Sequence, residues 1–209
     1  MVVQWYFDFI SPYAYLQSER LDKLPAGTQI EFKPVLFAAL LNHWGQKGPA
    51  EIPSKRRFTY RDVLWIARRD SIDLRMPPAH PFNPLSVLRL AIALGCASDV
   101  VHTIFRFTWA EGNRPDDPES WDKLIERLGV RDAGERIAQT EVKSKLRTNT
   151  EEAISSGVFG VPTIVVGKEL FWGYDMTGMA AAFIDDPHAL DDAEMQRART
   201  LPIGVERPR

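Results

Sequence analysis

Asp8-Phe9-Ile10-Ser11-Pro12-Tyr13-Ala14-Tyr15 is the stretch on which the fold turns. Ahead of it, Val2 to Phe9 is almost wholly aliphatic and aromatic, as in a strand buried on both faces. Ser11-Pro12 then reads as a helix start. Serine favours the N-cap, and proline tolerates the first helical position because its missing N–H has no partner there in any case. Tyr15, Leu16, Leu21 and Leu24, spaced among polar residues, predict an amphipathic helix that Pro25-Ala26-Gly27 ends. Thr28 to Leu36 alternates as a second strand, with Ile30, Phe32 and Val35 its buried members. The chain therefore opens strand, helix, strand, with a right-handed crossover if the strands are parallel.

Working outward, the character changes after Gly45 and Gly48. From about Ser54 to Ser156 the spacing is mostly helical. Leu64, Ile66 and Ala67 mark one segment, and another starts with Asn83 as N-cap and Pro84 at the first position. Val100, Ile104, Phe105 and Phe107 mark a third, and Trp121, Leu124, Ile125 and Leu128 a fourth that Gly129 ends. A long helix from about Glu141 to Ser156 closes the block. Strand character returns at Thr163 to Val166, and Gly167-Lys168 turns the chain into Leu170, Phe171 and Trp172 as a hairpin. Met176 to Ile184 fits a last helix, followed by a peripheral segment rich in Asp, Glu and Arg. With the block removed, the order is that of a thioredoxin fold. The expectation is α/β: a discontinuous thioredoxin-like domain over 1–40 and 157–209, carrying an all-helical insertion over 41–156.

The bulk composition narrows the function. The chain has 209 residues, 44% hydrophobic and 26% charged, with a formal net charge of −2. That suits an ordinary globular protein and lacks the basic excess of a nucleic-acid binder. No apolar run approaches the roughly 20 residues a membrane helix needs, and the first residues do not read as a signal peptide. A single cysteine excludes an intramolecular disulfide. The expectation is a cytoplasmic protein with no membrane and no nucleic-acid partner.

The chemistry sits at the first strand-to-helix junction. In open α/β sheets, ligands bind beyond the carboxyl ends of the strands, and N–H groups free at a helix start attract anions. With the Ser11 hydroxyl added, such a place stabilises a thiolate. A preference of about 2 kcal/mol lowers a thiol of pKa about 8.5 by roughly 1.5 units. The late segment Val158-Phe159-Gly160-Val161-Pro162-Thr163 complements it. Pro162 cannot donate to a ladder, so it belongs at a strand start, and Val161 before it is held extended with its backbone free to pair with a peptide-like ligand.

Phe-Asp-Phe-Ile-Ser-Pro-Tyr-Ala-Tyr near the start, Gly-Val-Pro-Thr late, and Phe-Trp-Gly-Tyr-Asp after it resemble the 2-hydroxychromene-2-carboxylate isomerases and kappa-class glutathione transferases. These form a DsbA-like branch of the thioredoxin superfamily. Gly45-Gln46-Lys47-Gly48-Pro49, Ile52-Pro53-Ser54-Lys55-Arg56-Arg57 and His80-Pro81-Phe82-Asn83-Pro84 are similar to further family segments, so the likeness covers about the first 185 residues. It implies a cis Pro162 facing the active helix and glutathione as a regenerated cosubstrate. Ser11, as the catalytic residue, bonds the sulfur, and the Val161 backbone pairs with the cysteinyl unit beside Pro162. Lys55 faces the glycine carboxylate, and Asp175 receives the γ-glutamyl ammonium. Tyr13, Gln46 and Tyr174 complete the implied glutathione site, with no metal. The chain departs from the family where Gln46 replaces a common Asn and where Tyr174-Asp175-Met176 lacks the usual arginine. The implied reaction is isomerisation of 2-hydroxychromene-2-carboxylate or a related aromatic-degradation intermediate, by a homodimer. The alternatives are a kappa-like transferase that consumes glutathione and a non-catalytic binding protein.

Each singled-out residue also has a plainer use. Ser11 alone is an ordinary helix cap, Lys55 opens a basic run of the kind that lines solvated helix faces, and Asp175 alone reads equally as a cap for the last helix. Cys96 reads as a core thiol, and His43, His80, His102 and His188 lack metal-ligand spacing, with a loop hydrogen bond the expected job of His80. Disulfide exchange is excluded at the helix start, where Ser11 and Ala14 stand in the places of its two cysteines.

Overall fold

The computed structural model describes residues 1–205. Four strands, β1 (Val2–Phe7), β2 (Gln29–Pro34), β3 (Thr163–Val166) and β4 (Glu169–Trp172), form one sheet in the order β2-β1-β3-β4. The β1/β2 pair is parallel, with α1 (Pro12–Ser18) in its crossover, whereas β1/β3 and β3/β4 are antiparallel. This is the expected thioredoxin arrangement.

The near-continuous apolar run of β1 has its reason here, because the strand lies inside the sheet and both faces are covered. Val3, Trp5 and Phe7 join the larger core with Leu16 of α1, Ile164, Phe171 and Ala180. Tyr6 points the other way, to Val35, Leu40, Ala153 and Val165. Of these, Leu40 comes from α2 (Phe37–His43) and Ala153 from α8 (Thr140–Ser155).

Between β2 and β3 the chain forms α2, α3 (Pro53–Arg69), α4 (Leu85–Ala93), α5 (Ser98–Phe105), α6 (Pro118–Arg127), α7 (Ala133–Ala138) and α8. A π-helical turn, Arg106–Ala110, extends α5. Helical residues Val63, Leu88, Ile104 and Phe105 belong to the same core as the sheet. The ring of Phe105 lies 4.6 Å from that of Phe9 and 5.5 Å from that of Phe7. Each such pair adds about 0.5–1.5 kcal/mol beyond its burial. After β4 come a 3-10 turn (Tyr174–Met176), α9 (Thr177–Asp185) and α10 (Ala193–Arg199). No helix among the described residues is long and apolar enough to cross a membrane.

Helices α1 and α2 are the clearest departures from the expectation. Helix α1 stops at Ser18 instead of reaching Leu24. The Ser18 hydroxyl bonds back to the Tyr15 carbonyl at 2.6 Å, and His102 of α5 takes up the Ser18 carbonyl at 2.9 Å. A side chain competing for a helical carbonyl and a tertiary partner for the terminal one end the helix early. Helix α2 has no counterpart in the sequence reading, and the reason is its start. Leu36 caps nothing; the Phe37 N–H is taken by Asp8 at 2.9 Å and the Leu36 N–H by Thr150 at 3.1 Å. Both caps come from distant parts of the chain.

Candidate functional site

The loop between β1 and α1 is held at almost every polar group. Asp8 Oδ1 accepts the Ile10 N–H at 3.0 Å, and the Asp8 carbonyl accepts the Ser11 N–H at 3.0 Å. The Phe9 carbonyl accepts the indole N–H of Trp109 at 2.8 Å, and the Ile10 carbonyl accepts His80 Nε2–H at 2.9 Å. A carbonyl only accepts, so the neutral His80 ring carries its proton on Nε2. Its Nδ1 then faces the Tyr60 hydroxyl at 2.8 Å. Burial holds the His80 pKa below its ordinary value. The loop bond expected of His80 is therefore the one it makes.

Ser11 caps α1 with an extended backbone, its Oγ accepting the Ala14 N–H at 3.2 Å. The same hydroxyl donates to the Val161 carbonyl at 3.4 Å. That bond is long, so the proton is loosely held and free to turn toward a nearby anion. Val161-Pro162 is a cis peptide bond, as is His80-Pro81. The cap and the proline loop, 150 residues apart in sequence, thus meet at one hydroxyl.

A second tie brings in the turn after β4. The Pro162 carbonyl accepts the Gly173 N–H at 2.9 Å. Gln17 of α1 donates to the Gly173 carbonyl at 2.9 Å and to Thr177 Oγ1 at 3.0 Å, and accepts from the Trp5 indole at 2.7 Å. Gly173 has φ +104, and a Cβ there would meet Asp175 Oδ1 at 2.7 Å. The carboxylate of Asp175 folds back over the turn, is exposed, and does not cap α9.

The remaining expected residues are spread over α1, α3 and the turns after α2 and β4. The Tyr13 hydroxyl donates to Asp62 of α3 at 2.7 Å. Burial, then the Asp62 carboxylate and more weakly Asp175 push the Tyr13 pKa well up, so Tyr13 stays a protonated donor. Lys55 is exposed in the first turn of α3. It stands seven residues before Asp62, two turns along the same face and roughly 10 Å away. Gln46 is exposed in the turn after α2, which Trp44 ties to the proline loop through its indole N–H and the Val158 carbonyl, 3.0 Å. Tyr174 is turned toward α3, its hydroxyl donating to Asp70 at 2.5 Å. Cys96 ends α4 with φ +52 and a thiol pushed by burial up to about 11, which keeps it protonated. Among the described residues, no group of His, Cys, Asp and Glu is arranged to hold a metal ion.

Sequence reasoning passed over Asp62 and Gln17 as site-building residues. The seven-residue step from Lys55 was the one available signal for Asp62. Nothing local marked Gln17, whose partners are on β1 and beyond β4.

The arrangement matches known proteins over most of its length. The model of the DSBA-like thioredoxin domain matches residues 2–185. The 2-hydroxychromene-2-carboxylate isomerase of Pseudomonas putida is 33% identical over 183 residues, 84% of this chain and 90% of that protein. Glutathione S-transferase kappa 2 of Caenorhabditis elegans is 29% identical over 208 residues, 89% and 92% of the two chains. A solved 2-hydroxychromene-2-carboxylate isomerase superposes with a TM-score of 0.78 at 25% identity, covering 97% of this chain and 100% of that one.

Proposed function

This chain belongs to the DSBA-like thioredoxin family, in the branch of the 2-hydroxychromene-2-carboxylate isomerases and kappa glutathione transferases, and on that premise we propose a glutathione-dependent isomerase. Its substrate is 2-hydroxychromene-2-carboxylate or a related aromatic-degradation intermediate. The observation that carries the reading is the Ser11 hydroxyl, shared between its own helix and the carbonyl before the cis proline. Such a hydroxyl can donate to a sulfur anion while the Val161 backbone pairs with a peptide-like unit. Lys55 and Asp175 supply the opposite charges that a tripeptide with terminal carboxylates and an ammonium group requires. Gln46, Tyr13 and Tyr174 stand nearby as further polar partners.

In this reading the thiolate adds to a conjugated carbon of the substrate and a carbon–sulfur bond forms. The former double bond becomes single and rotates. Elimination breaks the carbon–sulfur bond and returns the thiolate, so glutathione is not consumed. The second reading, a transferase, is favoured by the identity with the kappa 2 protein and differs in stoichiometry.

The test is thiolate absorbance of glutathione on saturating protein, titrated with pH, for wild type and Ser11→Ala. Wild type is expected to hold a thiolate at neutral pH and Ser11→Ala to lose it, with turnover falling by about 10²–10³, as for removal of one oxyanion donor. Absence of glutathione binding to wild type removes the enzyme reading. Steady depletion of glutathione during turnover replaces the isomerase by the transferase.

A further inference from the structure

Asp8 is 1% exposed, and no cation among the described residues pairs with it. Its two carboxylate oxygens go to two different segments: Oδ1 to the Ile10 N–H, one residue before Ser11, and Oδ2 to the Phe37 N–H at the head of α2. The cost of burying a charge this way is several kcal/mol unless hydrogen bonds offset it, and two backbone bonds offset only part. Burial accordingly raises the Asp8 pKa to about 7, the two backbone bonds acting in the opposite sense.

The neighbouring groups do not neutralise it. Helix α1 contributes Tyr13, which is spent on Asp62 of α3, and the loop before α4 contributes His80, whose pKa burial lowers and whose Nε2–H is spent on the Ile10 carbonyl. Helix α2 carries no charge before His43, and the proline loop from Gly160 to Thr163 carries none. From α8 come the neutral Asn149 and Thr150, bonded to the Pro34 carbonyl and the Leu36 N–H. Lys33 on β2 is engaged by Glu31 at 3.1 Å and Glu152 at 2.7 Å. Arg56 of α3 acts on His80, not on Asp8.

We propose that Asp8 is a positioning residue that clamps the Ser11 loop to α2, and that its charge is coupled to the charge of the thiol held at Ser11. The inference rests on the glutathione reading above. An ionised Asp8 gives both N–H groups a full acceptor, whereas a protonated one turns one oxygen into a donor and loosens one side of the clamp. Ser11 is the third residue after Asp8, and the Ser11 N–H returns to the Asp8 carbonyl, so the carboxylate lies within roughly 10 Å of the sulfur's place. Two negative charges at that range inside a protein oppose each other. A thiolate at Ser11 makes Asp8 harder to ionise, and by reciprocity an ionised Asp8 makes the thiolate harder to form.

The experiment uses infrared titration of the wild-type carboxylic-acid band with either glutathione or S-methylglutathione bound, the latter having no thiol to ionise. Among the described carboxyls Asp8 is the one raised into the neutral range, which identifies the band. With glutathione its midpoint is expected to rise by roughly one pH unit relative to S-methylglutathione. In Asp8→Asn the bound thiol ionises at a pH lower by a similar amount, a shift that a purely structural role does not produce. Identical midpoints with the two ligands overturn the proposal, as does an unchanged thiol titration in a folded Asp8→Asn protein. If that variant does not fold, the wild-type comparison decides alone. Failure of both ligands to bind wild type is a different result: it removes the glutathione reading, and the coupling with it.

Discussion

The Asp8–Ser11 loop and the residues Gln46, Lys55 and Asp175, which the proposed function assigns to the rim of the same site, are held in different ways. The loop is tied by its own carboxylate and helix cap and by an imidazole and an indole from two distant parts of the chain. The rim consists of exposed side chains on turns and the first turn of α3. The difference teaches how such a site divides its labour. Positions meant to stabilise developing charge need donors fixed in advance, since any reorganisation subtracts from the stabilisation. Positions that grip the ends of a flexible ligand tolerate mobile, solvated side chains, whose charge draws the ligand in at modest energy.

The largest effect expected on the tied side comes from Asp8. Its folded pKa of about 7 lies above the unfolded value near 4, so the stability it allows is full below pH about 4 and lost as pH rises through 7. Thermal unfolding is expected to show wild type weakening relative to Asp8→Asn across that window, by up to about 4 kcal/mol. A constant gap between the two proteins sinks the idea of a strained, buried carboxyl.

Next comes Gln17→Leu, which leaves the Trp5 indole and the Gly173 carbonyl without their partner. A loss of about 3 kcal/mol is expected in urea unfolding, with glutathione affinity falling as the Gly173–Asp175 turn loosens. If affinity holds while stability drops, the turn is fastened by the Pro162 carbonyl alone. Gly173→Ala forces a side chain to φ +104 and into Asp175 Oδ1, for an expected loss of about 1–2 kcal/mol. Its calorimetric signature is weaker ligand binding that Asp175→Ala does not worsen further.

On the rim, Lys55→Ala is expected to raise KM for glutathione about tenfold, to leave kcat and thermal stability unchanged, and to lose its effect in high salt. A fall in kcat would place Lys55 with the fixed half. The smallest change is Tyr174→Phe, which removes one half-exposed bond to Asp70 and less than about 1 kcal/mol of stability. Tighter glutathione binding in that variant would mean the hydroxyl competes with the ligand.

Much of this was legible in the chain. The double-sided burial of β1 showed in its unbroken apolar run, the start of α1 in Ser11-Pro12, and the hairpin in Gly167-Lys168. Those features rest on interactions within a few residues, which sequence spacing records. Short-range signals were also misleading: Asn83-Pro84 reads as cap and first turn, yet helix α4 starts at Leu85, with Asn83 Oδ1 accepting the Leu85 N–H at 3.0 Å. The candidate site was legible as residue types and as family segments, but its contacts were not. Nothing in the run Phe37-Ala38-Ala39-Leu40 announces α2, because its caps are Asp8 and Thr150.

From the sequence alone came the order of the strands, the double-sided burial of β1 and the residue that caps the first helix, because propensity and periodicity act locally. Only the tertiary structure decided that Ser11 Oγ meets Val161, that the Tyr13 hydroxyl donates a hydrogen bond to Asp62, and that Asp8 joins two loops in the core. These pairings join residues from 29 to 150 positions apart. Chain folding brings them together because buried polar groups must find partners wherever the packed backbone leaves them.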